Sequence, residues 1–569
     1  MMTSLESLVN EWLRLDKNES TRAEIQRLWD QHDTDELESR LRSRIEFGTA
    51  GLRGRMAAGW ANMNDLIIVQ TSQGLRQYVE NTVENATSRG VVIGHDHRHN
   101  SARWAQLTAA VFVQAGWKVY LLRGLVHTPL VPFSVQALGA ATGVMITASH
   151  NPKDDNGYKV YWENAVQIIA PHDKGISVAI KANLEPQTSM PEQLTSCLDR
   201  TEEMKDAYFA NLAFLKFLNQ TTKAKFVNTS MHGVSDKFVS RAFQLFGFPP
   251  YIPVLEQQQP DPEFPTVAFP NPEEKGALDL ALKTADAQGA SYVLSQDPDS
   301  DRFCAAEKQS NGQWIVFTGD QLGTLFAAQV LKTYKESGKP IDKLAMVAST
   351  VSSKMIEAMA EKEGFKFVEC LTGFKFIGNT ALTLVSQGFD VPFGYEEAIG
   401  YMFGSTIRDK DGVAATMVFC QLVASLVDQT VFEYLGELYK TYGYFQTSNS
   451  YFVCKDPRTI DLIFARLRSY PDGLQSKSIQ AAYPRSIGGL QITSVLDLTK
   501  GYGYDSSNAP TYEPSLPLSS GHMIQFRALN ETDGTKIVLT IRTSGTEPKI
   551  KYYLAGSWME AEKHHLGRP

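Results

Sequence analysis

Apolar positions near the start of the chain recur mostly three or four residues apart: Leu5, Leu8, Trp12 and Leu13, then Ile25, Leu28 and Trp29, then Leu37 and Leu41. That spacing predicts amphipathic helices over residues 4–46. A glycine-rich stretch, Phe47-Gly48-Thr49-Ala50-Gly51-Leu52-Arg53-Gly54-Arg55, separates them from a further helical pattern between Leu66 and Val79. Short unbroken apolar runs then appear at Val91–Gly94, Val119–Leu122 and Val144–Ile146, with helical patterns between them. Such alternation predicts an α/β domain. A second α/β stretch starts near Lys225-Phe226-Val227 and reaches Ser291-Tyr292-Val293-Leu294, interrupted by a Gln/Pro-rich loop at 257–265. A third runs from Leu344–Val347 to about residue 445. From Ser448 the pattern changes to short strands, such as Met523–Phe526 and Lys536–Ile541, which predicts a smaller α+β domain. The polar tail 560–569 is expected to fray.

A chain of 569 residues should hold about three to five domains. The boundaries expected are 1–210, 211–325, 326–445 and 446–569. The net charge of −8 argues against nucleic acid as a bulk partner, because phosphate backbones need a dense cationic face. Any phosphate ligand must be held by local arginines, lysines and amides. The five cysteines are scattered and form no CxxC pair, so neither a disulfide framework nor a zinc site is suggested. No apolar run reaches the length of about 18 residues that a membrane span needs. The start of the chain lacks a basic-then-apolar signal. A cytoplasmic protein with no membrane partner is expected, as a monomer or, alternatively, a dimer.

Six stretches are candidates for chemistry. In Thr147-Ala148-Ser149-His150-Asn151-Pro152, a hydroxyl follows a buried strand and Asn-Pro forces a turn. Asp297-Pro298-Asp299-Ser300-Asp301-Arg302 places three carboxylates at i, i+2 and i+4, a set of oxygen ligands suited to Mg²⁺. An EF-hand fails there, since Arg302 and Lys308 stand where glycine and glutamate are needed. Arg542-Thr543-Ser544-Gly545-Thr546-Glu547-Pro548-Lys549 offers cations, hydroxyls and loop amides to a phosphate. Gly394-Tyr395-Glu396-Glu397-Ala398-Ile399-Gly400 offers carboxylates to sugar hydroxyls, or else reads as an acidic helix start. Taken alone, Ile407–Gly412 predicts a solvated charged loop, and Thr372-Gly373-Phe374-Lys375 a loop with one exposed cation. No GxxxxGK[ST], GxGxxG after a strand, or HExxH occurs, which removes support for nucleotide kinases, dinucleotide oxidoreductases and zinc proteases.

The order of these motifs resembles the α-D-phosphohexomutase superfamily over roughly residues 40–555. The branch it is most similar to contains phosphoglucomutase-2, a phosphopentomutase, and its paralogue glucose-1,6-bisphosphate synthase. FGTAGLRG (47–54), NGYKVYW (156–162), DPEFPTVAFPNPEEKG (261–276), STVSSK (349–354), LTGFKFIGN (371–379) and RTSGTEPKIKYY (542–553) carry that likeness. The resemblance implies three related mixed-sheet α/β domains, then a smaller domain of TATA-binding-protein-like topology, with four motif loops facing one cleft. It implies that Ser149 carries the phosphoryl group and, with Asp297, Asp299 and Asp301, holds one Mg²⁺. Glu396 matches the sugar-loop glutamate, with Glu397, Thr372, Gly373 and Lys375 as further substrate contacts. Arg542, Ser544, Gly545, Thr546 and Lys549 match the loop binding the non-transferred phosphate. Arg53, His150, Lys159, Arg302, Lys375 and Lys410 match charged positions around the reacting centre. A sugar 1,6- or 1,5-bisphosphate is the implied activator. Hexose-specific members carry serine where this chain has Ala398, which removes one hydroxyl contact and weakens strict glucose preference.

The resemblance thus implies a phosphosugar mutase acting on ribose, deoxyribose or glucose phosphates through a phosphoserine and a bisphosphate intermediate. The proton of the attacking hydroxyl falls to Lys159 or Lys410. The alternative is a synthase that loads Ser149 from 1,3-bisphosphoglycerate and releases glucose 1,6-bisphosphate. A non-enzymatic sugar-phosphate sensor fits less well, because it would not need a phosphoryl carrier and its metal.

Overall fold

The computed structural model describes residues 3–48, 51–187, 194–218, 222–454, 456–544 and 549–558. They form two compact units, one of 1–318 with 381–383 and 398–427, the other of 319–380, 384–397 and 428–569.

In the first unit, the helices Leu5–Leu15, Glu19–Asp30 and Thr34–Leu41 start at side-chain caps from Ser4, Asn18 and Asp33, which satisfy amide groups that a helix start leaves unpaired. Their apolar stripes bury Val9, Trp12, Ile25, Leu28 and Leu37 against Ala58 and Leu66. Ten strands follow: β1 (Leu52–Arg55), β2 (Val91–His95), β3 (Val119–Leu121), β4 (Thr142–Ile146), β5 (Asp155–Tyr161), β6 (Phe226–Thr229), β7 (Ile252–Pro253), β8 (Tyr292–Gln296), β9 (Phe303–Lys308) and β10 (Trp314–Val316).

The first sheet has the order β1-β5-β4-β2-β3 and the second β10-β9-β8-β6-β7. In the first, β2 runs parallel to β3 and β4, while β4–β5 is antiparallel. In the second, β6 runs parallel to β7 and β8, while β8–β9 is antiparallel. Four strands of the two sheets therefore repeat one topology, although the sequence shows no tandem repeat; the fifth is supplied by β1 before them in the first sheet and by β10 after them in the second. The β4–β5 loop, which holds Ser149, and the β8–β9 loop, which holds the three aspartates, occupy equivalent places. No helix among the described residues is long and apolar enough to cross a membrane.

The second unit opens with the helix Gly319–Glu336, which runs through the expected boundary at 325/326; likewise the helix Thr201–Leu212 runs through 210/211. Strands β11 (Leu344–Ser349), β12 (Lys366–Cys370) and β13 (Asp390–Glu396) follow, with β11 parallel to both neighbours. β13 is the counterpart of β4 and β8, and Glu396 is its last residue. The helix start considered for 394–400 is not formed. Glu397 to Ile399 make a turn, and β14 (Gly400–Phe403) resumes extended structure. β14 and the helix Gly412–Ser425 belong to the first unit. The Thr372–Lys375 loop is also shorter than expected, because the helix Phe374–Ser386 begins at Phe374 and leaves Lys375 half-buried in its first turn.

The last domain begins four residues earlier than the pattern change suggested, with β15 (Tyr444–Val453). The helix Pro457–Leu467 is capped by Asp456 and buries Phe464. Short strands β16 (Leu474–Gln475), β17 (Ala482–Tyr483) and β18 (Ser486–Ile487) precede β19 (Leu490–Asp497), β20 (Tyr504–Asp505), β21 (Met523–Leu529), β22 (Lys536–Thr543) and β23 (Lys549–Trp558). The main sheet has the order β15-β23-β22-β21-β19-β18, and β20 pairs with β19. Its buried charge is a bidentate pair: Arg468 donates to Asp497 at 2.6 and 3.0 Å and to Thr499 Oγ1 at 2.6 Å, while the Tyr483 hydroxyl also donates to Asp497 at 2.9 Å. Removing one partner leaves a buried charge uncompensated. Asp497→Asn should therefore destabilise this domain by about 3–5 kcal/mol, read as faster amide exchange across β19, β21 and β22 than in the first unit.

Candidate active site

Ser149 sits three residues beyond β4, 2 % exposed, in the left-handed backbone region at φ 56°. A non-glycine residue accepts that conformation only when its surroundings fix it. Here its amide donates to Thr147 Oγ1 at 2.9 Å, and its carbonyl accepts from Arg98 Nη2 at 2.7 Å. The same guanidinium donates to the carbonyls of Asn151, Pro152 and Asp155 at 2.6, 2.8 and 3.2 Å. One buried arginine thus ties the whole turn together. The Ser149 hydroxyl donates to Asp297 Oδ2 at 2.9 Å and lies 3.2 Å from His150 Nδ1. Burial, reinforced by Arg302 and Arg53, holds the half-buried His150 imidazole well below its ordinary value, so it is neutral near pH 7. Arg53, on β1 beside β5, reaches Asn151 Oδ1 at 3.2 Å.

Asp297, Asp299 and Asp301 are fully buried, and one oxygen of each lies within 4.8 Å of the others. The loop is shaped by close backbone approach. A side chain on Gly412 would come within 2.4 Å of the Arg302 carbonyl, and one on Gly233 within 2.4 Å of Pro298. Asp297 Oδ1 accepts from the amides of Asp301 and Arg302 at 3.1 and 2.9 Å. Asp299 Oδ2 accepts from Thr128 Oγ1 at 2.6 Å and Lys159 Nζ at 2.7 Å, and Asp301 Oδ2 from the same Nζ at 2.9 Å. Burial and its two carboxylate neighbours push Asp297 well above the usual carboxyl range. For Asp299 burial works the same way, but the charge and hydrogen bond of Lys159, with the Thr128 hydroxyl, outweigh it and hold the group low. Burial alone would lower the Lys159 ammonium; Asp299 and Asp301 together reverse that and raise it.

Oδ1 of Asp299 and Oδ1 of Asp301 are buried and accept no hydrogen bond among the described residues. Buried carboxylate oxygens left this way carry a desolvation cost that a cation removes. Three oxygen donors beside a serine hydroxyl suit a hard divalent ion that keeps a place for a phosphate oxygen. The residues therefore fit Mg²⁺.

The charged stretch 407–412 is not the solvated loop its composition suggested. Arg408, Asp409, Lys410 and Asp411 are 1–6 % exposed. Lys410 Nζ lies 3.3 Å from Asp301 Oδ2 and 3.5 Å from Asp409. Asp409 accepts from Gln167 at 2.8 Å. Asp411 caps the helix Gly412–Ser425 and accepts from the Tyr208 hydroxyl. Arg302 lies 4.0 Å from Asp297 and Asp301 and donates to the Ala398 carbonyl at 3.0 Å. The first unit thus gathers Ser149, His150, Lys159, Lys410, Arg53, Arg302 and the three aspartates.

In the second unit, Glu396 is 6 % exposed at the end of β13. Glu397 accepts from Ser349 Oγ at 2.9 Å, and its amide donates to Ser352 Oγ at 3.1 Å. Burial, then Glu396 and Asp320, push the Glu397 carboxyl up to about 7. Asp320 underpins the strand, accepting from the Tyr395 hydroxyl at 3.1 Å and the Ser353 amide at 2.8 Å. Thr372 Oγ1 is buried with no hydrogen-bond partner among the described residues, and Gly373 takes φ 114°. Arg542, the last residue but one of β22, donates to the Tyr553 hydroxyl at 2.9 Å, while Lys549 Nζ lies 4.1 Å from the Tyr451 ring centroid. The Ser544 amide donates to the Lys549 carbonyl at 2.9 Å, closing the β22–β23 hairpin. Gly545 and Thr546 lie outside the described residues.

Sequence reading missed Arg98, Thr128, Ser349 and Asp320. Arg98 and Thr128 each lie just after a strand-like run, the one signal that pointed to them. Ser349 stands at the head of STVSSK, and Asp320 carried no signal.

The chain matches the phosphoglucomutase/phosphomannomutase α/β/α domain I over residues 44–187, domain II over 206–312 and domain III over 318–442. It is 44% identical to Homo sapiens phosphopentomutase over 564 residues, covering 95% of this chain and 90% of that protein. Homo sapiens glucose 1,6-bisphosphate synthase is 43% identical over 96% of this chain and 89% of its own. The phosphoribomutase of Saccharomyces cerevisiae is 42% identical over 99% and 94%. The open form of the Paramecium phosphoglucomutase parafusin shares the fold, with a TM-score of 0.63 at 17% identity over 92% of each chain. With its serine, acidic loop and three repeated sheets, the chain belongs to the phosphoglucomutase/phosphomannomutase family and is a phosphosugar mutase, an intramolecular phosphotransferase.

Proposed function

We propose that the protein moves a phosphoryl group between C1 and C5 of pentose phosphates, with glucose 1-phosphate as a further substrate, through phosphoserine 149. The carrying observation is the Ser149 hydroxyl bonded at 2.9 Å to one member of a buried aspartate triad in which Asp299 Oδ1 and Asp301 Oδ1 accept no hydrogen bond among the described residues. The near-whole-length likeness to a phosphopentomutase and a phosphoribomutase supports the pentose preference, and so does Ala398 in place of a serine.

A hydroxyl oxygen of the sugar monophosphate attacks phosphorus, a nearby base takes the hydroxyl proton, and the P–O bond to Ser149 Oγ breaks as that oxygen takes up a proton. The resulting bisphosphate then returns its other phosphoryl group to Ser149, whose own proton passes to the product oxygen. Transfer of this kind rests on positioning and charge neutralisation. Asp297, Asp299, Asp301 and Ser149 would hold Mg²⁺, which supplies neutralising charge to the transferring group. We assign the handling of the hydroxyl proton to Lys159 or Lys410, both paired with the same aspartates; the one that accepts it must first be a neutral amine. Arg53 and Arg302 add positive charge, and His150 stays neutral beside Ser149. We assign sugar recognition to Glu396, Glu397, Thr372, Gly373 and Lys375. The non-transferred phosphate is assigned to Arg542, Ser544, Gly545, Thr546 and Lys549. Domain limits near 1–200, 201–318, 319–443 and 444–569 respect the helices and strands observed.

Three outcomes are expected. Ser149→Ala should abolish the phosphoryl adduct seen by intact mass and lower turnover of ribose 1-phosphate by roughly 10⁴-fold or more. A pentose rate no higher than the glucose rate would overturn the substrate assignment. Bisphosphate release driven by 1,3-bisphosphoglycerate in excess of mutase turnover would instead mark a synthase, as in the relative of that name.

Mg²⁺ at about 100 times its Kd should stabilise the wild type by about 2.7 kcal/mol. Asp297→Asn should lose that gain, while its thermal stability without metal stays at or above the wild-type level, because one crowded carboxylate has been neutralised.

The Glu397 carboxyl sits above its ordinary value of 4.5, at about 7. The stability contributed by its neutral form is fully present below pH 4.5 and lost as the pH rises through 7. Thermal midpoints measured from pH 5 to 8 should fall along that path in the wild type and flatten in Glu397→Gln.

A further inference from the structure

The stretch DPEFPTVAFPNPEEKG, singled out by its sequence, takes no part in the chemistry described above. Its first residues nevertheless touch the turn that carries Ser149. Phe264 is 3 % exposed and holds φ 47°, a left-handed conformation disfavoured for a bulky residue. Its ring lies 5.0 Å from the Arg98 guanidinium carbon and 5.3 Å from the His97 ring, met edge-on. Burial drives the His97 imidazole down to about 4, so the ring beside Arg98 is neutral near pH 7 and leaves Phe264 facing one cation. The flank is pinned as well. Glu263 pairs with His99 at 2.6 Å and with Lys153 at 2.7 Å, and Lys153 stands four residues past Ser149. The loop is held in turn by its own domain: the Asp261 amide donates to the His232 carbonyl at 2.9 Å, and His232 Nε2 lies 2.8 Å from Thr266 Oγ1.

Arg98 spends its outer nitrogens on the carbonyls of Ser149, Asn151, Pro152 and Asp155. Its Nε lies 3.5 Å from Asp96 Oδ2, and its guanidinium carbon sits over the Phe264 ring. An arginine plane stacked on a ring keeps its in-plane donors free for hydrogen bonds. We propose that Phe264 is a positioning residue for phosphoryl transfer: it presses Arg98 onto the phosphoserine turn, so that the Gln/Pro-rich loop of the second α/β domain sets where Ser149 Oγ stands relative to the aspartate triad. The inference rests on the assignment of Ser149 as phosphoryl carrier. It adds a branch-typical loop, remote in sequence from every motif of the site, to what fixes the geometry of the reacting oxygen. An error of about 1 Å there is enough to cost roughly 100-fold in rate.

The test compares Phe264→Leu, Phe264→Tyr and, as a control for lost packing in the same domain, Phe243→Leu. Phe243 is buried among Phe226, Phe248 and Tyr251. Single-turnover phosphoryl transfer with ribose 1-phosphate, its KM, the thermal midpoint, and amide exchange over residues 149–155 are measured on the full chain with Mg²⁺. Phe264→Leu should slow transfer by about 10- to 100-fold with KM changed less than about 2-fold, and should speed exchange in the 149–155 turn. Phe264→Tyr, which keeps a ring over Arg98, should recover most of the rate. Phe243→Leu should lower the thermal midpoint as much without slowing transfer. Wild-type transfer in Phe264→Leu, equal loss in Phe243→Leu, no rescue by tyrosine, or unchanged exchange in the turn would each overturn the proposal. A wild type that takes up no phosphoryl group would instead overturn the assignment of Ser149, while the exchange data still decide whether Phe264 holds the turn.

Discussion

Three carboxylates share one small buried volume, and much of the first unit is arranged to tolerate that. At separations near 5 Å and an effective dielectric constant of about 20, each pair of ionised groups repels by roughly 3 kcal/mol. Lys159 offsets part of this by bridging Asp299 and Asp301, and Lys410 reaches Asp301 from a segment more than a hundred residues further on. Both cations are themselves buried and would be costly there without the aspartates. The set is therefore mutually dependent, and it still leaves two oxygens without hydrogen bonds among the described residues. The oxygens left over form a donor set that fits a hard divalent cation.

The same backbone solution recurs. β4, β8 and β13 are each the strand that follows the parallel core pair, and each leads into a segment dense in polar groups: Ser149, the three aspartates, and Glu396 with Glu397. A non-glycine residue with positive φ sits in each loop, Ser149 at 56°, Ser300 at 59° and Ile399 at 51°. Such residues are uncommon outside turns and functional sites. In the first two the strain is balanced by tight local bonding, from Arg98 around Ser149 and from the Asp297 carboxylate to the amides of Asp301 and Arg302. A repeated fold thus supplies equivalent presentation points, and the side chains at each point differ in what they present.

Strand and helix placement was legible because buried strands such as Val91–Gly94 are unbroken apolar runs and the first helices keep their periodicity. Ser149 and the aspartates were legible because their chemistry is concentrated in a few adjacent residues. What the sequence concealed was burial of charge. Ile407–Gly412 reads as a solvated loop because its composition carries no trace of Asp301, Gln167 and Tyr208, which come from elsewhere in the chain and make burial affordable. Arg98 was hidden for the opposite reason. Its hydrogen-bond acceptors in the Ser149 turn are backbone carbonyls, which every residue has, so no pattern of side chains announces them. The helix starting at Phe374 and the strand pair around Glu397 were misread because glycine and acidic residues serve turns and helix starts alike, and only the register of β11 with β13 decides.

The geometry around Ser149 also separates a phosphoryl carrier from a hydrolase nucleophile. A serine hydrolase needs an imidazole that accepts the hydroxyl proton and a carboxylate that steadies the resulting imidazolium. His150 is adjacent to Ser149 in sequence, and burial with Arg302 and Arg53 nearby makes its protonated form unfavourable. The Ser149 hydroxyl already donates to Asp297 instead. Cations then surround the position a transferred group would occupy: Lys159 and Lys410 on the triad, with Arg302 beside it. Such a field favours a dianionic phosphoryl group on the oxygen, and it disfavours charging a neighbouring histidine. The same feature that rules against acyl chemistry at Ser149 would stabilise a phosphate ester there.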